Sequence, residues 1–426
     1  MKIVSKIAFV IVFIFSAIYV YNREKYSTEI EIVDGYPIEF SVDRGDNLRF
    51  FLNSKIANKK GLVYIYTIRR QKIDSLILDV IPQAKIKDTL AYQNGFNYQY
   101  EFIYNTKKLK SGIYFIGNVV PFLVKEITKK NAITIVFPYG NLMAINNAGG
   151  RSFTESNSKN SIPANKLSLK RTLKISDEYS YFLNWIDSVC SKRNINFISD
   201  LDLEKTLCLS NTQTLLLYGY SAFWTYKQRN CFEQFNANGG NVLAVCSRLM
   251  NNKMEYDYVH KTISFKLPDN GDTIIKNQVL WNKIKSNALT VGCSYELCNQ
   301  TKTTLLSFGG YKIISKEHPI FIGINTNYIA INTDYGNAVA VLNNNFAAHP
   351  RPNNKVLNFY RNEILAYDLG VYKKGQTVTG IFHFQKSKNS GKLIVIGNDN
   401  WVLKENLNDS LITKITINCI NYLIKS

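Results

Sequence analysis

Between residue 28 and about residue 130 the chain alternates apolar and polar positions in short runs: Thr28–Val33, Leu48–Leu52, Leu62–Arg69, Ser75–Val80, Phe96–Tyr104 and Gly112–Val119. A period of two marks strands with one buried face. Turn signals separate the runs, among them Asp34-Gly35, Arg44-Gly45-Asp46 and Ser111-Gly112. This density of short strands predicts an immunoglobulin-like β-sandwich over 28–130. From 131 the period changes. Ile133–Tyr139 is a nearly continuous apolar run, as expected of a parallel strand covered on both faces. Tyr181, Phe182, Trp185, Ile186 and Val189 form a stripe at helical spacing, which predicts a helix over Asp177–Arg193 with Ser176 as its N-cap. Asn196–Ser199, Thr214–Gly219 and Asn241–Cys246 read as further strands. A helix from about Phe223 to Asn236 precedes the last of them and ends on Gly239-Gly240 as a left-handed cap. This alternation predicts an α/β fold over 131–426 with a doubly wound, mainly parallel sheet. Residues from about 250 to 360 break the pattern and read as a β-rich insertion, with β-like pieces at Leu305–Ile314 and Ala338–Leu342. Lys392–Gly397 then returns as a buried strand and Leu411–Ile424 as a last helix. Binding sites in such sheets lie at the carboxyl ends of strands. The segments Asn141–Phe153 and Gly219–Trp224 both begin there.

Composition changes this picture at three points. Apolar residues make up 46% and charged residues 20%, an ordinary globular balance, and the 27 Tyr and 24 Phe suit β-rich packing. The formal net charge is +20, from 52 Lys+Arg against 32 Asp+Glu. A field of that sign favours an anionic partner, either an acidic polysaccharide or a lipid surface. No nucleic-acid motif accompanies it, so nucleic acid is not expected. At the N-terminus, Lys2 and Lys6 precede the uncharged run Ile7–Tyr21. That run is short of the ~20 residues a spanning helix prefers, and no small-residue cleavage site follows it. Residues 1–23 are therefore expected to be a signal peptide or signal anchor, giving a membrane contact and placing the bulk of the chain outside the cytoplasm. The seven cysteines are an odd number, and all lie beyond residue 189. Cys293 and Cys298 are close enough in sequence to pair, and the others read as small buried hydrophobes.

The segment Leu215–Cys246 resembles the stretch that carries the Gly-His-Asp-Glu-Tyr-Trp motif in the large (beta) subunit of N,N-dimethylformamidase, an iron amidohydrolase family. The matching positions are Gly219, Tyr220, Ser221, Ala222, Phe223 and Trp224. Ala144–Ser152 is similar to the family's Ala-Tyr-Asn-Asn-x-Gly-Gly-Lys/Arg-Ser, Ser168–Leu173 to its Ser-Phe-x-Arg-Pro-Tyr, and Phe182–Asp187 to its Phe-Leu-x-Trp-Leu-Glu. Gly239-Gly240-Asn241 and Val395–Trp401 also fit. The resemblance covers about 28 to 426 and implies a glutamine-amidotransferase-like α/β domain behind a β-sandwich. It also implies a ferric ion held by two tyrosines and a glutamate, hard oxygen donors that suit a highly charged cation. Those three positions fall on Ile145, Leu173 and Ala222 here. The family's nearby histidine falls on Tyr220, an asparagine near Arg248, and a catalytic glutamate near Asp368. Aliphatic side chains offer no lone pair, so no cofactor is expected.

The candidate catalytic residues are therefore Tyr220, Arg248 and Asp368. The expected lining of the pocket is Asn141, Ile145, Asn146, Asn147, Arg151, Leu173, Gly219, Ser221, Ala222 and Trp224. Other chemistries are weaker. Ser221 lacks the second glycine of a nucleophile elbow. Gly149-Gly150-Arg151-Ser152 lacks the spacing of a phosphate loop. His260, His318, His349 and His383 show no metal-ligand spacing, and His318, before Pro319, reads as a loop residue. The sequence thus points to a non-catalytic binding or scaffold protein of the cell envelope on a dimethylformamidase-like framework. The alternative is a hydrolase acting on C–N amide bonds through a remodelled pocket.

Overall fold

The computed structural model describes residues 28–424, apart from 57–59, 84–87, 127–129, 131, 206, 266–278, 282–283, 295–309, 330–338, 341–356 and 373–374. The expected targeting segment 1–23, Cys298 and most of the Ala338–Leu342 piece lie outside the described residues. Among the described residues, no helix is long and apolar enough to cross a membrane.

Eight strands come first: β1 (Ile32–Pro37), β2 (Ser41–Asp43), β3 (Asn47–Ser54), β4 (Gly61–Thr67), β5 (Lys72–Leu78), β6 (Glu101–Asn105), β7 (Gly112–Ile116) and β8 (Val120–Lys125). They form a three-stranded sheet, β1-β3-β6, and a five-stranded sheet, β2-β8-β7-β4-β5. Alternation on β3 buries Leu48, Phe50 and Leu52, which share one apolar cluster with Val63, Ile65, Ile116 and Phe122. The pairings are antiparallel except that of β2 with β8, which is parallel.

The rest of the chain supplies β9 (Ala132–Phe137), α1 (Tyr139–Ile145), α2 (Asp177–Val189), β10 (Ile195–Ser199), β11 (Thr212–Tyr218), α3 (Tyr226–Ala237), β12 (Asn241–Val245), β13 (Tyr311–Ile313), β14 (Tyr328–Ile329), β15 (Arg361–Tyr372), β16 (Gly375–Gln385), β17 (Leu393–Ile396) and α4 (Ser410–Ile424). Nine strands make one sheet in the order β10-β9-β11-β12-β17-β16-β15-β13-β14. The first five are mutually parallel. The remaining pairings are all antiparallel.

The expected doubly wound, mainly parallel fold is therefore wrong. The sheet is mixed, and with the N-terminal sheets it makes the chain β-rich. The missing half is the β15–β16 hairpin, paired from Arg361↔Gln385 to Tyr372↔Gly375. Leu365, Ala366, Tyr367 and Asp368 are all buried, as are Ile381, Phe382, His383 and Phe384. Burial on both faces erases the period of two. Asp368, Thr379 and His383, buried among apolar neighbours, interrupt the run that would have replaced it.

Two local expectations also shift. Phe223–Trp224 pairs in parallel with Asn252–Lys253, so α3 begins later, at a capping box of Thr225 and Gln228. Ser176 precedes α2 as expected, but its side chain makes no capping bond to the helix.

A buried ion pair joins the N-terminal strands to the nine-stranded sheet. Lys125 ends β8, and Asp202 lies in the 3-10 turn after β10. Lys125 Nζ stands 3.2 Å from Asp202 Oδ1, and each side chain is 3% exposed. Lys205 approaches the same oxygen at 3.2 Å, and Ser199 donates its N–H and Oγ–H to Oδ2. Burial opposes ionisation of Asp202, but the two lysines and the hydroxyl and amide donors outweigh it and hold the carboxyl below its ordinary range.

Asp202→Ala leaves Lys125 buried with only the exposed Asp43 at 3.5 Å. We expect a loss of about 3–5 kcal/mol in denaturant unfolding at pH 7. A depressed carboxyl contributes stability above its unfolded value of about 4 and loses it as pH falls through the folded value. The gap between wild type and variant should therefore narrow as pH drops from 4 to 2. A constant gap over that range would refute the ion-pair account.

Candidate functional site

The short helix α1 starts directly at the carboxyl end of β9, where a loop had been expected. Asp200, just past the end of β10, fixes it. Its Oδ1 accepts from Gly140 N at 2.7 Å and its Oδ2 from Asn141 N at 3.0 Å. Asn141 is fully buried. Its Nδ2 donates to Asp200 Oδ2 (2.8 Å) and Phe223 O (3.1 Å), and its Oδ1 accepts from Phe223 N (2.6 Å). Burial pushes the Asp200 carboxyl up to about 6, against the pull of these donors. Asn141 thus bolts the Gly219–Trp224 segment to α1.

A second fastening is Arg171, 1% exposed. Its Nε donates to Ser168 O (2.7 Å), Nη1 to Asn146 O (3.0 Å) and Ala148 O (2.7 Å), and Nη2 to Met143 O (2.9 Å). Burial lowers the guanidinium to about 10, so it stays charged at neutral pH. Asn146 Nδ2 adds a bond to Thr172 O at 2.7 Å. Ile145 and Leu173 flank these bonded residues. Leu173 is 6% exposed and Ala222 1%, and Ile145 is half-buried against the same apolar cluster.

The other expected lining residues have structural work. Gly219 has φ +66°, and a Cβ there would stand 2.7 Å from the Tyr179 hydroxyl. That hydroxyl accepts from Tyr220 N at 3.0 Å. Ser221 O and Oγ accept from Trp224 Nε1. Trp224 O in turn accepts from Met254 N and Trp281 Nε1. Asn147 O accepts from Gly150 N within its own loop. The Arg151 guanidinium lies 5.2 Å from the Tyr92 ring centroid.

Two candidate catalytic residues do meet. The Arg248 guanidinium sits 5.6 Å from the Tyr220 ring centroid. Beside them is a residue that the site reading missed. The Asp399 carboxylate accepts from Ser247 N at 2.7 Å and Ser247 Oγ at 2.6 Å. Burial raises its pKa, and Ser247 and the Arg248 charge oppose the rise. Asp399 belongs to the Gly397–Trp401 motif, so its acid was visible, but nothing in the spacing tied it to Ser247. Asp368 is fully buried on β15 opposite Thr379, whose Oγ1 bonds Gly397 O at 3.1 Å. The carboxyl ends of β11, β12 and β17 therefore hold Tyr220, Ser247, Arg248 and Asp399 in one polar group, with Asp368 reached through Thr379.

His318 lies in the bend before Pro319, as expected, but it is not isolated. His318 and His383 stand 3.1 Å apart, and Glu363 completes a cluster of three groups able to hold a metal ion. Burial, with Arg361 and Lys392, lowers His318 to about 4 and His383 to about 3, so both rings are neutral at pH 7. Sixty-five residues separate them in sequence, which no local spacing rule spans. Cys190, Cys208, Cys246 and Cys419 are buried as expected, and Cys208 and the half-buried Cys231 bring their sulfurs to 3.6 Å. Pairing of Cys293 with Cys298 involves a residue outside the described residues.

A family model described as N,N-dimethylformamidase beta subunit-like, C-terminal, matches residues 92–404. The chain belongs to this family. No curated protein matches it. Among solved structures, the mmIFT52 N-terminal domain is similar at a TM-score of 0.33 and 11% identity, over 59% of this chain and 94% of that one. A TM-score that low carries no argument.

The dimethylformamidase-like ligand set does not fit a ferric ion in this chain. The matching positions Ile145, Leu173 and Ala222 present only hydrocarbon, and all three pack in one apolar cluster. A hard trivalent cation needs charged oxygen donors there. If position 173 now serves as core, Leu173→Ala should cost about 2–5 kcal/mol in chemical denaturation. A change within about 0.5 kcal/mol, the range of ordinary surface substitutions, would show that the position is not core.

Proposed function

We propose that this member of the dimethylformamidase-like family is a non-catalytic binding or scaffold protein that has lost iron-dependent amide hydrolysis. One observation carries the reading: the three positions that match the family's metal ligands are aliphatic and belong to, or pack against, one apolar cluster. Exchange of one donor could be compensated by another. Exchange of all three removes every charged oxygen from the first shell, and with it the Lewis acid that would polarise an amide carbonyl.

The polar group around Tyr220, Arg248 and Asp399 supports a binding role, since it gathers charged and hydrogen-bonding side chains at the strand ends. The surplus positive charge supports an anionic partner, namely an acidic polysaccharide or lipid surface of the cell envelope. Placement of the chain outside the cytoplasm is part of this proposal and rests on the signal-like layout of residues 1–23.

The deciding experiment uses the full chain expressed in iron-supplemented medium. Metal analysis should find no stoichiometric iron, and the protein should lack the visible phenolate-to-iron absorption that tyrosine ligands impart. Release of amine from N,N-dimethylformamide should stay at the buffer rate. Turnover together with one iron per chain would overturn the reading. Retention on an immobilised acidic polysaccharide should weaken steeply with salt as the Debye length shrinks from ~10 Å at 0.1 M to ~3 Å at 1 M.

A further inference from the structure

We propose that His318, Glu363 and His383 form a binding site for a divalent cation, with zinc as the best fit. The site lies at the Arg361–Gln385 end of the β15–β16 hairpin, away from the positions that match the family's iron ligands. Glu363 and His383 are directly opposed across the two strands. His318 joins them from the turn before Pro319.

Two of the three donor separations are close to those of a ligand set. His318 Nε2 is 3.1 Å from His383 Nδ1, and Glu363 Oε2 is 3.4 Å from the same nitrogen. The three donor atoms lie within 4.8 Å of one another. Donors placed ~2.0–2.1 Å from a tetrahedral zinc stand about 3.3 Å apart. Imidazole nitrogen and carboxylate oxygen are both zinc ligands, and two histidines with one carboxylate leave a fourth position open.

The metal-free cluster is short of protons. His318 Nδ1 accepts from Ile320 N at 3.4 Å, so the ring proton lies on Nε2 and points at His383 Nδ1. That leaves Glu363 Oε2 facing a nitrogen lone pair at 3.4 Å. His383 is fully buried, and its other nitrogen, Nε2, has no hydrogen-bond partner among the described residues. Among the described residues, the polar contacts of this buried ring are made by Nδ1. A cation would satisfy all three donors at once. Binding requires His318 to move its proton to Nδ1 and give up the long bond from Ile320.

The rings are preorganised. Tyr422 of α4 packs edge-on against both imidazoles, with centroids 4.9 Å from His318 and 5.5 Å from His383. Two charges work against a cation. Arg361 lies 3.9 Å from Glu363, and Lys392 Nζ sits 4.4 Å from the Tyr422 ring centroid. The site should thus bind more weakly than a closed structural zinc site, and Lys392→Met should tighten it.

The test is calorimetric titration of the full chain, stripped with chelator, with zinc chloride, followed by cobalt(II) substitution. One equivalent should bind, and the cobalt form should show weak visible bands without a thiolate charge-transfer band. Glu363→Gln and His383→Ala should each weaken binding by about tenfold or more. Glu363 is half-exposed and its replacement isosteric, so that variant keeps the test decisive should His383→Ala fail to fold. No zinc uptake, or uptake undiminished in Glu363→Gln, overturns the proposal. So does a cobalt thiolate band abolished by Cys208→Ser, which would assign the metal to the neighbouring Cys208 and Cys231 thiols. These outcomes read zinc and cobalt at the hairpin, so they are separable from the iron and turnover measurements on the family position.

Discussion

A guanidinium buried among main-chain carbonyls holds the centre of this protein in place. Arg171 joins Met143, Asn146 and Ala148 on one side to Ser168 on its own. Removal of a charged side chain from water is unfavourable unless its donors are used, and here the forked geometry uses them at several carbonyls at once. The carbonyls gain as well, because the half-buried irregular segment that follows α1 has no ladder to satisfy them. Asn141 does the same for the Gly219–Trp224 segment. These two side chains convert loops that diverge in sequence into one rigid surface at the strand ends.

Several motif residues on that surface have structural duties of their own. Gly219 is required by a positive φ and by the Tyr179 ring against it. Trp224 is required because its indole and its carbonyl close bonds to Ser221, Met254 and Trp281. On the proposed reading, the positions that match the family's metal ligands have no such partners, and hydrocarbon there extends the core. Ala222 and Leu173 lie in the same cluster as Phe223 and Met143. The exchange also removes the need to bury unpaired oxygens.

The parallel half of the large sheet was legible because its strands are continuous apolar runs. Ala132–Phe137, Thr212–Tyr218 and Leu393–Ile396 fall close to where hydropathy places them. The antiparallel half was not, because β15 and β16 carry Asp368, Thr379 and His383 in fully buried positions, where polar residues look like breaks in a strand. The candidate site divides in the same way. Tyr220 and Arg248 were found because a motif points to them. Asp399 and Ser247 were missed as partners because a contact across 152 residues leaves no periodic trace. The histidine cluster is similar, since a cross-strand register and a turn bring it together.

The two ends of the large sheet therefore differ in kind. At the carboxyl ends of the parallel strands, Leu173 and Ala222 are apolar and buried, and the polar groups beside them include Ser247 bonded to Asp399. At the Arg361–Gln385 end of the hairpin, nitrogen and oxygen donors gather with fewer protons than lone pairs, held by Tyr422 from a helix with no part in the first group. A folding chain has little reason to bury that second set, since a buried histidine pair with an idle ring nitrogen costs stability that a Phe or Leu pair would not. Its presence is better explained by something it binds than by the fold it sits in. By the same reasoning, family motifs whose every member has a structural partner say little about activity, and the groups that fail to justify themselves structurally are the ones to pursue.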